Sequence, residues 1–298
     1  MLYNIIMEWS TILFLGTLVM IAMIVYKYFN PRQREYFSQK APFILRQDNE
    51  KYDTFYLDYY DDLYSTESYS KHDIDIIINI TSPNQTSVFL DIGCGTGHLM
   101  EQVEQKGFTV FGVDKSRYMV EACQERVKES EVYCDDVLRD SMLYENNTFS
   151  HITCTHFTLY EIENKEKLFR HCFHWLRGGG YLIVHMVDPE SYRKVLPSIE
   201  IDNSSTITNT SIEYKDYKFT SDYKTNDNVS VLTETFTDKY TENVRQNKTK
   251  LFMEQKQDIL STAMKCGFIT QNETTYKNPV QDPHQYLVVL VKPMCGDQ

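Results

Sequence analysis

The segment from Ser87 to His98 constrains the fold of this 298-residue chain more than any other part of its sequence. It reads Ser-Val-Phe-Leu-Asp-Ile-Gly-Cys-Gly-Thr-Gly-His, so an apolar run leads directly into a turn with three alternate glycines. Such runs form the central strands of parallel sheets, and glycine lets the following turn approach a ligand closely. Leu99, Met100 and Val103 then predict a helix. We therefore predict an α/β fold with a doubly wound sheet and a ligand at this turn, the alternative being a strand-to-helix turn without a ligand.

Two acidic residues suggest what the ligand is. Asp114 ends the next predicted strand, Phe108 to Val113, and lies about 20 residues beyond the glycines, where a carboxylate can accept hydrogen bonds from a ribose diol. The glycine spacing is G-x-G-x-G, whereas the dinucleotide fingerprint is G-x-G-x-x-G. Asp91, just before the turn, is placed to receive a cationic group. These features favour a nucleoside cofactor that carries positive charge.

On these residues the chain resembles the class I S-adenosylmethionine-dependent methyltransferases, in particular the small-molecule branch with a Leu-Asp-Ile-Gly-Cys-Gly-Thr-Gly loop. The resemblance implies a Rossmann-like sheet of seven strands and S-adenosyl-L-methionine as cofactor. It also implies a cofactor site drawn from four successive loops: Asp91, Gly93, Cys94, Gly95, Gly97, Asp114, Lys115, Asp135, Asp136 and Thr155. Of these, Asp135 or Asp136 would bind the adenine amino group.

The segment from Tyr52 to Tyr64 is unusually rich in tyrosine and resembles a Tyr-Asp-x-x-Tyr region that lies across the cofactor pocket in small-molecule methyltransferases. By that match Tyr60, and with it Tyr64, would face the methyl-transfer centre. Aromatic faces attract a sulfonium cation, which suits this position. For any one of these tyrosines, packing in the core or at its rim is the alternative.

A general base is needed only if the methyl acceptor must lose a proton. The candidates that follow the predicted fourth strand are His156, Tyr160 and Glu161, of which His156 and Tyr160 are preferred. His185, at the end of the fifth strand, is a further candidate that we interpret as a histidine at the edge of the core.

The carboxyl-terminal third shows a change of pattern. Residues Ser211 to Phe219 and Val229 to Tyr240 alternate between apolar and polar, with turn residues at 225–228, and predict an antiparallel hairpin inserted at about 195–252. Such an insertion could cap the substrate pocket or simply extend the sheet. The other strands of the seven and the last helix are predicted at Glu131–Tyr133, Phe149–Cys154, Tyr181–His185, Met253–Cys266 (the helix), Phe268–Thr275 and Tyr286–Val291.

The amino-terminal run from Trp9 to Tyr26 contains no charged residue and is long enough for a membrane-spanning helix. A cleaved signal peptide is disfavoured because no positive charge precedes the run. We predict an anchor over residues 1–29, a juxtamembrane linker over 30–51 and a methyltransferase domain over 52–298. The positive charges that follow the run place that domain in the cytoplasm: Lys27, Arg32 and Arg34.

Composition excludes some function classes. The net charge of −12 argues against a nucleic-acid partner, because binding to phosphate backbones requires basic surface. The seven cysteines include no C-x-x-C spacing, so the sequence predicts no metal site and favours a reducing compartment.

Taken together, these features predict methyl transfer from S-adenosylmethionine, by in-line displacement, to a small or lipid-like, membrane-associated acceptor. Three alternatives remain open at this level. They are a nicotinamide-dependent oxidoreductase, which the glycine spacing disfavours, a protein methyltransferase, and a cofactor-binding domain without catalysis.

Overall fold

The computed structural model describes the following parts of the chain: residue 14 and residues 16–21, 41–190, 209–276 and 284–294. The chain divides into two compact units, residues 1–38 and 39–298. In the first unit the described residues are helical. Among all described residues, no helix combines the length and the apolar character needed to cross a membrane. Most of the anchor predicted over 1–29 lies outside the described residues.

The second unit contains twelve described strands and seven described α-helices. The strands are β1 (Phe43–Gln47), β2 (Val88–Ile92), β3 (Thr109–Asp114), β4 (Glu131–Cys134), β5 (Phe149–Cys154), β6 (Leu176–Val187), β7 (Asn209–Glu213), β8 (Tyr217–Asn226), β9 (Val229–Asp238), β10 (Val244–Phe252), β11 (Ile269–Thr275) and β12 (Gln285–Val291). The helices are α1 (Thr54–Tyr64), α2 (Thr66–Thr81), α3 (His98–Gln105), α4 (Arg117–Arg126), α5 (Thr158–Glu161), α6 (Lys165–Trp175) and α7 (Lys256–Lys265).

Seven strands form the main sheet, in the order β11-β12-β6-β5-β2-β3-β4. The pairs from β6 through β4 are parallel, whereas β12 runs antiparallel to both of its neighbours. The predicted doubly wound sheet of seven strands is therefore confirmed. Because the chain moves outward from β2 in one direction through β3 and in the other through β5, the loops after β2 and β5 diverge and leave a crevice at the carboxyl edge.

Both faces of the middle of this sheet are covered, which explains why β2, β5, β6 and β12 are buried at successive positions, whereas the edge strands β4 and β11 are largely exposed. Leu287 and Val289 of β12 belong to one buried cluster, together with residues of α2, α3 and α4. Val288 and Leu290 belong to the cluster on the other face, with residues of α6 and α7. Alternate side chains of a strand point to opposite faces, so an unbroken apolar run can fill two cores at once.

A second sheet of five strands, which we call the cap sheet, has the order β1-β10-β9-β8-β7. The predicted turn at 225–228 is confirmed, since β8 and β9 pair across it. The insertion is larger than the predicted hairpin, because β7 and β10 also belong to it. The predicted strand over 211–219 is interrupted at 214–216, where the chain turns between β7 and β8.

The cap sheet also includes a strand from the other end of the domain. Residues 43–47, which the sequence suggested were part of a linker, form β1 and pair in parallel with β10. A 3-10 helix over Asp48–Lys51 then leads into α1. Asp53 begins α1 by accepting a hydrogen bond from the backbone N–H of Tyr56 at 3.1 Å, as an N-cap residue does. The tyrosine-rich segment is thus a helix attached to the cap sheet.

Candidate active site

A cavity of about 260 Å³ lies at the carboxyl edge of the main sheet, where the loops after β2, β3, β4 and β5 meet α1, α2 and the cap sheet. Eleven of the thirteen residues predicted for the site line it: Tyr60, Asp91, Gly93, Cys94, Gly95, Asp114, Lys115, Asp135, Asp136, Thr155 and His156. Gly97 and Tyr160 are not among the lining residues.

The glycine turn after β2 leaves space for a ligand against its backbone. Gly95 has a φ of +53°, and a Cβ built on it would meet no atom closer than 4.0 Å. Its N–H donates to Asp114 Oδ2 at 3.1 Å. The turn is therefore held in place from β3, and its surface at Gly95 is open towards the cavity that Gly95 lines.

Gly97 was predicted to bind the cofactor, and the structure gives it a different role. A Cβ at this position, where φ is +85°, would lie 2.6 Å from the sulfur of Cys123 in α4. The glycine is needed because α4 packs closely against the start of α3. The sequence pattern located the turn correctly but could not show which of its glycines faces the cavity.

Asp114 ends β3 and accepts two backbone hydrogen bonds, from Gly95 and from the N–H of Ser116 at 2.8 Å. Burial raises the pKa of this carboxyl to about 6, although the two backbone donors act to lower it. Each carboxylate oxygen keeps a further lone pair. The side chain can therefore accept hydrogen bonds from a diol in the cavity, as the sequence predicts.

Asp91 is 4% exposed and accepts a hydrogen bond from Thr153 Oγ1 at 2.7 Å. Burial, opposed by the hydrogen bond from Thr153 and helped by the charge of Asp114, raises its pKa to about 7. A cationic group in the cavity would relieve this cost by favouring the ionised carboxylate. The position thus fits the predicted contact with a positively charged ligand.

The loop after β4 presents the two candidate adenine-binding acids differently. Asp135 forms an ion pair with Arg139, whereas Asp136 is exposed and accepts a hydrogen bond from the N–H of Leu138 at 2.8 Å. Lys115, after β3, lies 3.9 Å from Glu161. Asp135, Asp136, Lys115 and Glu161 line the cavity, whereas Arg139 does not.

Residues four apart project from the same side of a helix, so Tyr56, Tyr60 and Tyr64 share one side of α1, which we call the tyrosine face. The ring centroid of Tyr60 is 5.0 Å from that of Tyr64 and 6.1 Å from that of Tyr52, and these last three residues line the cavity. Burial, followed by the charge of Glu161, raises the pKa of Tyr60, so its hydroxyl stays protonated. The structure thus places Tyr60 in the cavity wall, and its place at a methyl-transfer centre stays a prediction.

Asp61 was not singled out from the sequence, yet it fixes α1 to the glycine turn. Its carboxylate accepts hydrogen bonds from Thr66 (2.8 Å), Thr96 (2.6 Å) and His98 (2.9 Å), and pairs with Arg126 at 3.0 Å. Burial acts to raise its pKa, but the hydrogen bonds from His98 and Thr96 outweigh it and lower the pKa to about 2. The available signal was its place in the Tyr-Asp-x-x-Tyr pattern, directly after Tyr60.

One wall of the cavity is built from α2, the loop after β5, strand β6 and the residue that follows β11. We call it the polar wall; its members are Tyr69, Ser70, His156, His185 and Tyr276. Ser70 Oγ and His156 Nε2 are buried and have no hydrogen-bond partner within the described part of the chain. Burial, and then the neighbouring His185, lowers the pKa of His156 to about 4, so its ring is neutral at pH 7. This predicted residue is therefore in the cavity with an unused ring nitrogen.

The other candidate bases differ from His156. His185 is 3% exposed and is held between the carbonyl of His156 and the side chain of Gln285, consistent with its interpretation as a residue at the edge of the core. Tyr160, which was predicted to be catalytic, is fully buried, and its hydroxyl accepts a hydrogen bond from the N–H of Val187 at 2.8 Å. Helix α5 has only four residues, so the sequence could not show which of its sides faces the cavity. Glu161, on the same helix, does line it.

The cap sheet is fastened to α1 by buried charged groups. Arg245 of β10 is 4% exposed, pairs with Asp53 at 2.8 Å and donates to the carbonyl of Lys51 at 2.8 Å. Lys51 itself donates to Thr249 at 2.7 Å. Since the N-cap of α1 is one of the partners, the position of the cap sheet and the position of the tyrosine face are coupled.

Comparison with known proteins agrees with this geometry. Residues 90–184 match the family described as "Methyltransferase domain". A curated relative from Alkaliphilus oremlandii (strain OhILAs), named an uncharacterized methyltransferase, is 26% identical over 132 residues, which are 43% of this chain and 60% of that protein. The chain thus spans less than two thirds of that relative's length.

Two solved structures share the fold. One is an S-adenosylmethionine-dependent methyltransferase from Clostridium acetobutylicum ATCC 824, with a TM-score of 0.61 and 17% identity over 80% of this chain and 98% of that one. The other is CalS10 from Micromonospora echinaspora, an amino pentose methyltransferase solved with S-adenosylmethionine bound, with a TM-score of 0.60 and 17% identity over 80% of this chain and 96% of that one. At these identities the likeness is one of fold.

Proposed function

We propose that this chain, which carries a methyltransferase domain of the S-adenosylmethionine-dependent class, methylates a hydroxyl or amine group of a small polar molecule. The observation that supports this acceptor class is the polar wall. Ser70 Oγ and His156 Nε2 are buried there without partners in the described chain, and both residues line the cavity. Buried polar atoms are seldom left unpaired in a folded protein, so a ligand that supplies hydrogen-bonding groups fits this wall.

The residues on the other side of the site suit the cofactor. When bound, S-adenosylmethionine supplies a methyl group activated by the positive charge of its sulfonium. Asp114 would accept hydrogen bonds from the ribose hydroxyls, Asp91 would receive the cationic amino group, and Asp135 or Asp136 would bind the adenine. The open space at Gly95 and the raised pKa values of Asp91 and Asp114 support this assignment, because both carboxylates are stabilised by donors or cations from a ligand.

In this proposal the protein acts mainly by positioning. His156 is neutral at pH 7, so Nε2 can accept a hydrogen bond from the acceptor's hydroxyl or amine and orient its lone pair. The tyrosine face and the cap sheet exclude water from the reacting groups. Holding nucleophile and methyl group in line in a water-poor site can contribute about 7 to 11 kcal/mol of the barrier reduction.

The membrane anchor is a separate part of the proposal, and its support is the charge-free run from Trp9 to Tyr26 alone. An anchor would keep the domain at a membrane. Alkaline extraction of membranes that contain the full chain tests it directly. Retention in the pellet is expected, and release into the supernatant would remove the anchor and leave the proposed chemistry as it is.

The proposed activity is tested by incubating the full chain with methyl-labelled S-adenosylmethionine and a cell extract separated by size. Asp114→Ala serves as the inactive control. Label is expected in the small-molecule fraction, to an extent that depends on Asp114. Label found only in protein would favour the protein methyltransferase instead, and no binding of S-adenosylmethionine would refute the proposal.

A further inference from the structure

Glu234 of β9 is a buried carboxylate whose hydrogen-bond partners are tyrosines. Its side chain is 0% exposed. The Tyr56 hydroxyl lies 2.7 Å from each of its two oxygens, and the Tyr64 hydroxyl donates to Oε1 at 2.7 Å. No lysine, arginine or histidine of the described residues lies within ion-pair distance of it. Its negative charge is thus stabilised by the hydroxyl groups of two tyrosines and has no ion-pair partner among the described residues.

The buried cations of the cap sheet are committed to other groups. Asn247, directly opposite Glu234 on β10, accepts a hydrogen bond from Arg245 Nε at 3.0 Å. The same Arg245 forms its ion pair with Asp53 at 2.8 Å. Lys51 lies 3.7 Å from Glu161, which is a different carboxylate of the cavity wall. Neither cation forms an ion pair with Glu234, although the Lys51 ammonium lies 5.8 Å from the ring centroid of Tyr56, one of its hydrogen-bond partners.

The cavity lies next to Glu234, on the other side of Tyr64. Tyr64 both lines the cavity and donates to Glu234, so the carboxylate stands directly behind a wall residue. The ring of Tyr60, the residue expected at the methyl-transfer centre, is 5.0 Å from that of Tyr64. A buried charge without a counter-charge is costly, and a cation bound nearby reduces that cost. The position therefore favours a positively charged ligand at this end of the cavity.

We propose that Glu234 is the counter-charge that makes the site prefer the positively charged methyl donor over the uncharged product. This inference rests on the proposed function. Methyl transfer breaks the carbon–sulfur bond with its electron pair left on sulfur, so the sulfonium becomes a neutral thioether. The favourable interaction with Glu234 is lost at that step, and product is released more readily than if the site recognised shape alone.

The experiment compares three ligands by calorimetric titration of the full chain. S-adenosylmethionine and sinefungin both carry a positive charge at this position, the latter on an amine, whereas S-adenosylhomocysteine is neutral there. Two unit charges about 10 Å apart at an intermediate dielectric interact by roughly the free energy of a tenfold change in affinity. Glu234→Gln is therefore expected to weaken the two charged ligands about tenfold and the neutral one less than twofold.

Two further variants make the result specific. Glu213→Gln changes an exposed carboxylate of β7 in the same sheet and is expected to leave all three affinities unchanged. Glu234→Asp keeps the charge and is expected to retain most of the preference for charged ligands. Equal weakening of all three ligands in Glu234→Gln, or no weakening, would overturn the inference.

Other outcomes are also decisive. Because the inference holds that an uncompensated charge costs stability in the unliganded protein, failure of Glu234→Gln to fold while Glu234→Asp folds would contradict it. If the unmodified chain binds none of the three ligands, the proposed function itself fails. If it binds all three and the variants leave their ratios unchanged, only the role of Glu234 is refuted.

Discussion

Replacing Asp91 by asparagine should make the unliganded protein more stable at neutral and alkaline pH, while weakening its affinity for the cofactor. Asp91 is 4% exposed, and burial raises its pKa from the ordinary 3.8 to about 7. A carboxyl whose folded pKa is raised loses stability as the pH rises from the unfolded value to the folded one. The unmodified protein therefore bears the whole cost above about pH 7, and asparagine does not bear it.

The expected size follows from the shift. Raising the pKa of the carboxyl from 3.8 to about 7 corresponds to about 4 kcal/mol of unfolding free energy, at about 1.4 kcal/mol per pH unit. Between pH 5 and pH 8 the difference between variant and unmodified protein should grow by about 3 kcal/mol, because the cost rises from pH 5 up to the folded pKa of about 7. Thr153 can still donate its hydrogen bond to the asparagine oxygen, so this contact is kept in the variant.

The assay is urea unfolding of both proteins at pH 5 and pH 8, with and without S-adenosylmethionine. Without cofactor the variant should gain on the unmodified protein as the pH rises. With cofactor present the advantage of the variant should shrink, because a bound ligand stabilises by RT ln(1 + [L]/Kd) and the variant binds the cofactor more weakly. A variant whose relative stability does not change between the two pH values would refute the reasoning about Asp91.

Three further predictions address other parts of the site. Gly95→Ala places a methyl group where the turn is open to the cavity, so calorimetry should show weaker cofactor binding. It also strains a residue with φ of +53°, so thermal melting should show a loss of about 1 kcal/mol in the free energy of unfolding. Unchanged binding would show that no ligand approaches this glycine. The carboxylate of Asp61 has its pKa lowered to about 2, so the stability it provides is present above the ordinary value of 3.8 and is lost as the pH falls through 2. Asp61→Asn should accordingly flatten the acid limb of the stability profile between about pH 4 and pH 2, and an unchanged limb would contradict this assignment. Tyr160→Phe removes the acceptor of the Val187 N–H, so it should cost about 1 kcal/mol of stability and keep kcat within about twofold. His156→Ala, in contrast, should lower kcat. A large loss of kcat in Tyr160→Phe would show that Tyr160 is catalytic after all.

The sequence predicted best what is encoded locally. The run before Gly93, the turn itself and Asp114 at the end of the next strand are neighbours in the chain, and their spacing is set by strand and turn geometry. The same holds for the inner strands of the main sheet, β2, β5, β6 and β12, whose apolar runs reflect burial on both faces. These features follow from periodicity and glycine placement, and the structure confirms them.

What the sequence did not show depends on pairing between distant segments. β1 pairs with β10 across about 200 residues, and Glu234 meets Tyr56 across 178 residues. Neither partner carries a local signal of the other. Asp61 likewise reads as one of two adjacent acids until the turn at Thr96 is folded against it. The identities of the site's wall residues, as opposed to those of its loops, therefore required the structure.

We propose that the cavity at the carboxyl edge of the main sheet binds S-adenosylmethionine through Asp114. The most direct test is calorimetric titration of the full chain and of Asp114→Ala with S-adenosylmethionine and, separately, with NADH. We expect that S-adenosylmethionine binds to the unmodified chain, that the variant loses this binding, and that NADH does not bind. Binding of NADH in place of S-adenosylmethionine, or binding that does not depend on Asp114, would contradict it.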